Sequence, residues 1–321
     1  MWKNFKALFF GVLAVFFFAL TACGGGSGGS GIVVSGTCNW TPRTSGINGI
    51  LYGVAFGNNT FVAVGFNGTV ITSSNNGVNW GPGNSGTTQT LLAVVYGNNM
   101  FVAVGTGGTI ITSSNNGSTW TSQTSGTSND LLGITYGHNT FVAVGKSGTI
   151  LTSSNGTSWT PQTSGTTEDL YDVVYGNAVF VVVGKNGKIL TSGNITNWTQ
   201  QASGTTANLS GVAFGNNTFV AVGDNGTVLR SIDNGLTWNS PSNPPLTNQN
   251  LYGVTYANGV KEFVAVGHNG TIFRSTDDGL SWTQDNPPTT DVLFSVLQGN
   301  NTFVIVGGSS PFAPATVLTC P

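Results

Sequence analysis

Short apolar runs closed by glycine recur along the chain, with turns of Asn, Ser, Thr and Gly between them. "FVAVG" begins at Phe61, Phe101, Phe141, Phe219 and Phe263, and the variants "FVVVG" and "FVIVG" begin at Phe180 and Phe303. Tryptophan keeps the same beat, at Trp40, Trp80, Trp120, Trp159, Trp198, Trp238 and Trp282, about forty residues apart. Inside one unit the pattern reads as four short strands: "LYGVAF" over 51–56, "FVAV" over 61–64, "TVITS" over 69–73, and a stretch around Trp80. Each is rich in β-branched or aromatic residues and bounded by Gly or Asn. The Asn-Gly and Gly-Asn corners supply the positive φ that tight hairpins need. No helical period runs through residues 38–321.

A repeat of about forty residues made of four strands has the length of one propeller blade. Seven copies predict an all-β fold, a single seven-bladed β-propeller of four-stranded antiparallel blades over residues 38–321. The last unit runs "LFSVLQ", "FVIV" and "ATVLTC" (315–320) and stops after three strands. Its fourth is the strand around Trp40, so the N-terminal strand is expected to complete the C-terminal blade and close the ring. In that register Cys320 stands where Ser73 does and Cys38 where Val78 does, facing each other across a hairpin. A Cys38 to Cys320 disulfide is therefore predicted.

The first 37 residues belong to something else. "MWKNFK" is followed by an apolar run over 7–20, too short to span a bilayer comfortably, and then by small residues, which together read as a secretory signal peptide over 1–22. Leu20-Thr21-Ala22-Cys23 resembles the lipobox of bacterial lipoproteins, which implies cleavage before Cys23 and a lipid on its sulfur. Residues 23–37, with "GGGSGGSG", read as a flexible tether, eight such residues spanning roughly 15 Å. The expected location is the bacterial cell envelope, lipid-anchored. Gly24 after the lipidated cysteine, in place of the Asp that retains such proteins at the inner membrane, implies the outer membrane.

Charge changes the picture by its scarcity. Charged residues make up 6% of the chain and the net charge is −2, which leaves no field to hold nucleic acid or an anionic lipid surface. A monomer whose polar contacts come from Asn, Thr, Ser and backbone is expected.

The turns before the tryptophans carry a motif. "SIDNGLTW" (231–238) and "STDDGLSW" (275–282) fit Ser-x-Asp-x-Gly-x-x-Trp; "SSNNGVNW" (73–80) and "SSNNGSTW" (113–120) fit it with Asn for Asp. "SSNGTSW" (153–159) and "SGNITNW" (192–198) are one residue shorter. The motif resembles the Asp-box, or BNR, repeat of β-propellers, which include sialidases, other glycosidases, sorting receptors and the assembly factors of photosystem II. The resemblance implies that the box closes the turn between third and fourth strands at the periphery, away from any active site. It implies a fold and carries no activity over.

Catalytic groupings are hard to assemble. A sialidase needs three converging arginines; here Arg230 and Arg274 stand in third strands toward the rim, and Arg43 follows the closing strand near the opposite face. His138 joins first and second strands and His268 joins second and third, on opposite faces, so no shared metal or proton relay is expected. No cofactor is expected. Glu168, Asp169 and Asp172 form the one carboxylate cluster that glycoside hydrolysis could use.

The positions where the repeats differ point elsewhere. After "VG", on the face with the loops between second and third strands, stand Phe66, Thr106, Lys146, Lys185, Asp224 and His268, and the seventh unit expands to "GSSPFAPA" (308–315). Nearby loops add Asp130, Glu168, Asp169 and the proline-rich 240–250. First strands carry Gly53, Ala93, Gly133, Asp172, Gly211, Gly253 and Ser295 there, all small except Asp172. Phe66, Lys146, Asp172, Lys185, Asp224 and His268 are thus expected to line a shallow mouth of the central channel, where propeller ligands enter. The plainer alternative is surface variation with an Asp172 to Lys185 salt bridge. The functional expectation is a non-enzymatic binding or assembly scaffold for a protein or glycan partner. A carbohydrate-active enzyme using the carboxylate cluster and an adhesive surface repeat are the alternatives.

Overall fold

A computed structural model describes residues 38–244 and 247–321. The expected signal peptide, Cys23 and the tether lie outside the described residues. Among the described residues seven antiparallel sheets follow one another in chain order. The first blade is Leu51–Gly57, Thr60–Gly65, Val70–Ser73 and Gly81–Pro82, and the second, third, fourth and sixth follow the same four-strand plan. The seventh takes Leu293–Gly299, Thr302–Gly307 and Thr316–Cys320 from the C-terminal end and Thr41–Pro42 from the N-terminal one. Thr41 pairs with Thr319 and Pro42 with Leu318, the register expected for ring closure. Cys38 and Cys320 stand at disulfide distance, with Cα atoms 5.9 Å apart.

The hydrophobic core lies between blades. One cluster joins Val62, Val64 and Val70 of the first blade to Leu91, Phe101 and Ile111 of the second, and six others join the remaining neighbours. Second strands are covered on both faces, which is why "FVAV" is apolar at every position instead of alternating. No blade buries its faces alone, so the ring is the stable unit.

Two turn types set the corners. Asn58 and Asn59 both take positive φ (45° and 56°), the two-residue hairpin whose twist matches the strands. Between second and third strands six blades carry a three-residue 3-10 turn, such as Phe66–Gly68, the only helical turns among the described residues. Gly68 needs its missing side chain twice over: its φ is +70°, and a Cβ would stand 1.9 Å from the Thr87 carbonyl oxygen of the next blade. At the opposite face a Cβ on Gly57 would meet the ring of Tyr96 at 2.0 Å. This glycine-on-ring contact recurs around the propeller. Where Ala257 replaces the glycine, Gln298 replaces the ring.

The boxes form as expected. Asp233 Oδ1 accepts from Thr237 N (2.9 Å) and Ser231 Oγ (2.8 Å), and Trp238 Nε1 donates to the Gly235 carbonyl at 2.9 Å. In the short fourth-blade box Ile195 takes the left-handed conformation, φ 61°, at the place that Gly156 (φ 75°) holds in the third.

The fifth blade departs from four strands. It has three, and the fourth shrinks to one bridge, Arg230 to Asn239. In the other blades the residue three places after Trp extends the ladder: Gly83 N donates to Val70 O (2.9 Å) and Asp285 N to Ile272 O (3.0 Å). Blade five has Pro241 there, with no N–H to give.

Candidate functional site

The inner strand of every blade carries a β-bulge at one place. Register skips between Leu51 and Gly53, Leu91 and Ala93, Leu131 and Gly133, Leu170 and Asp172, Leu209 and Gly211, Leu251 and Gly253, and Leu293 and Ser295. A bulge leaves one residue outside the ladder and re-aims it. The seven residues so released, Tyr52, Leu92, Leu132, Tyr171, Ser210, Tyr252 and Phe294, form a collar around a central cavity of about 170 Å³. Tyr52 and Phe294 lie 5.0 Å apart between ring centroids, and Tyr252 and Phe294 5.5 Å. Sequence reasoning missed this collar, because strict alternation keeps one face for residues 51 and 53 and ignores the residue between. Its only signal was a large residue recurring just before the small ones.

Asp172 stands in the channel wall, as expected from its place among small residues. Its carboxylate accepts two backbone amides, Val173 N at 2.8 Å and Val212 N of the next blade at 2.9 Å. Burial pushes the carboxyl up to about 7, against the lowering effect of those two amides. The expected salt bridge with Lys185 is not made: Lys185 Nζ lies 3.8 Å from Glu168. The reason is direction, since Lys185 heads an outward turn while Asp172 faces the axis. The raised carboxyl makes a prediction. Between its ordinary 3.8 and about 7 the folded state holds a proton that the unfolded state releases, so stability falls as pH rises through this window and is flat above it. At about 1.4 kcal/mol per pH unit the loss is at most about 4 kcal/mol. Thermal melts from pH 4 to 8 should lose this slope in Asp172→Gly; an unchanged slope would show that another group titrates.

The other mouth residues are held locally, blade by blade. Lys146 pairs with Asp130 at 2.6 Å, and this bond, with an amide hydrogen bond from Gly107, holds the Asp130 carboxyl below its ordinary value. Asp224 Oδ2 accepts from Asn208 Nδ2 at 2.8 Å, and His268 Nδ1 lies 2.9 Å from Gln249 Oε1. Phe66 is exposed (41%), and Phe312 of the expanded seventh-blade loop is more so (87%). The structure brings part of the expected set together around Tyr171, whose phenol is pushed up by burial and then by the charges of Asp169, Asp224 and Glu168, with Lys146 opposing. Phe66 and His268 sit on other blades.

The carboxylates of the suspected catalytic cluster go separate ways. Glu168 faces Lys185, Asp169 Oδ1 accepts from Ser147 N at 2.9 Å, and Asp172 faces the channel. The arginines are equally dispersed: Arg230 donates to the Asp278 carbonyl at 2.7 Å, Arg43 to Thr319 Oγ1 at 2.8 Å, and Arg274 to Glu262 at 2.6 Å. Among the described residues no three His, Cys, Asp or Glu side chains gather as a metal set.

Comparison with known proteins agrees with this architecture. No curated protein sequence matches the chain. Among solved structures, the propeller resembles "YCF48 from Cyanidioschyzon merolae", at 16% identity over 88% of this chain and 98% of that one, TM-score 0.68. It also resembles "YCF48 bound to D1 peptide", at 16% identity over 88% and 94%, TM-score 0.71. The WD40 β-propeller domain of Doa1 is similar at 13% identity over 87% and 96%, TM-score 0.66. The family model described as photosynthesis system II assembly factor YCF48 matches residues 104–276, more than half of the chain. With its repeated boxes and closed ring of seven blades, the chain belongs to that family of β-propellers.

Proposed function

We propose that this protein is an envelope lipoprotein whose propeller is a non-enzymatic assembly scaffold, docking a protein partner on the face of the loops between second and third strands. The observation that carries the reading is where the repeats stop repeating. Strands, boxes and hairpins recur blade after blade because the fold needs them, while Phe66, Lys146, Lys185, Asp224, His268 and the loop with Phe312 differ and share one face. A YCF48 propeller solved with a D1 peptide is the precedent for a protein partner. A lipid on Cys23 would hold the propeller at the outer membrane through the Gly/Ser tether.

Cross-linking pull-down from intact cells tests this. Wild type is expected to capture a protein that a variant with Lys146, Lys185, Asp224 and His268 all changed to Ala loses. Equal capture by both removes this face from the function.

A further inference from the structure

The channel lining is chemically lopsided. It contains one carboxylate, Asp172, no cationic side chain, three tyrosines and a phenylalanine. The sixth, seventh and first blades are neighbours in the ring and present Tyr252, Phe294 and Tyr52 as a continuous aromatic arc. Asp172 comes from the fourth blade, across the ring from that arc. Each of its oxygens accepts one amide, and a carboxylate has about four acceptor sites, so both keep capacity toward the channel. Above it, Asp224, Asp169 and Glu168 surround Tyr171, while Lys146 and Lys185 are turned to Asp130 and Glu168.

We propose that the channel mouth binds an ammonium group, seated between the aromatic arc of Tyr52, Tyr252 and Phe294 and the carboxylate of Asp172. The faces of aromatic rings attract a cation that comes within about 6 Å, most strongly where water is excluded. A cavity of about 170 Å³ is small for a drug-sized ligand and suits the tip of one side chain or a small headgroup. The acidic surroundings draw a cation toward the axis. This deepens the docking reading and rests on it in one respect, that the group arrives on a partner. The bulges are then what make the site, because they turn collar residues off the sheet and toward the axis.

Binding should strengthen with pH, because only ionised Asp172 attracts the cation. The other titratable groups on the lining are Tyr171 beside it and Tyr52 and Tyr252 across the channel. The second, third, fifth and seventh blades contribute Leu92, Leu132, Ser210 and Phe294, which do not titrate near neutrality.

The test uses the full-length chain in detergent and ligand-observed NMR with n-butylammonium, tetramethylammonium and neutral n-butanol. Wild type at pH 8 is expected to bind an ammonium and not the alcohol. Affinity should fall at least about tenfold at pH 5.5, where a carboxyl titrating near 7 is mostly protonated, and as far in Asp172→Gly. Glycine stands at this place in the first, third, fifth and sixth blades, so that variant should fold, which circular dichroism checks. Phe294→Leu, which copies Leu92 and Leu132, should weaken binding several-fold. Preference for n-butylammonium identifies a lysine or N-terminal amine as the natural group; preference for tetramethylammonium identifies a quaternary headgroup. No ammonium binding at pH 8, or equal affinity in folded Asp172→Gly, overturns the proposal. Partner capture that survives Asp172→Gly and is lost in the four-alanine variant would leave the docking face standing and remove the ammonium site.

Discussion

Glu262→Thr is expected to destabilise the propeller by about 3–5 kcal/mol, the largest effect of any single charged residue in it. Glu262 is 1% exposed and grips Arg274 with both oxygens, at 2.6 and 2.7 Å from Nη2, with Nε also donating at 3.1 Å. Beyond Arg274 lies Asp285 at 3.9 Å, whose Oδ2 accepts from Trp40 Nε1 at 2.8 Å. The chain of contacts thus runs from the sixth blade into the closing strand of the seventh. Losing Glu262 strips a nearly buried guanidinium of its bidentate partner. Three of the other blades have Thr at both places, Thr60 with Thr72, Thr140 with Thr152 and Thr302 with Thr319. Glu262→Thr combined with Arg274→Thr should therefore recover most of the loss, since exchanging a whole buried pair for a smaller uncharged one costs far less than breaking it. Denaturant melts of both variants decide the matter; additive losses would mean that the two residues are not coupled.

Cys38→Ser is expected to cost about 2–4 kcal/mol, with a ceiling of roughly 5, because the crosslink we propose closes almost the whole propeller into one loop of 282 residues. The closing strand is short: two ladder residues, Thr41 and Pro42, with Arg43 N donating to Val317 O at 2.9 Å. Without the bond this is where the ring would open. Intact mass after alkylation should show no accessible thiol at Cys38 or Cys320 until a reductant is added. Two labelled thiols in the untreated protein, or a Cys38→Ser variant that melts with wild type, would remove the lock.

Much of the site was legible as position and little of it as contact. Asp172 stood out because the same place in the other first strands is Gly, Ala or Ser, and the channel wall is where it lies. Its partners were not legible. A shared place at the mouth of one blade suggested Lys185 as its partner but says nothing of the direction in which a turn carries a side chain, and Lys185 went to Glu168. Lys146 with Asp130 and Asp224 with Asn208 are likewise bonds across the lip of one blade, formed between a turn and a loop that approach only once the sheet folds.

What the sequence determined by itself is the ring. Period, apolar second strands, Asn-rich corners and Asp-boxes are local patterns, each repeated seven or nearly seven times, and repetition averages out the ambiguity of any one copy. Even closure was written there, because a strand missing at one end was present at the other. Tertiary structure alone decided what breaks the pattern. A bulge adds one residue to a ladder and shifts the phase of the alternation, so the collar of Tyr52, Tyr171, Tyr252 and Phe294 recurred with the repeat while two-residue alternation gave no sign that it faces the axis. Pro241 ended a strand because its neighbour needed an N–H, and the Glu262 to Arg274 pair became buried only when the seventh blade closed over the sixth. Contacts between residues of different blades depend on geometry that a one-dimensional repeat does not record.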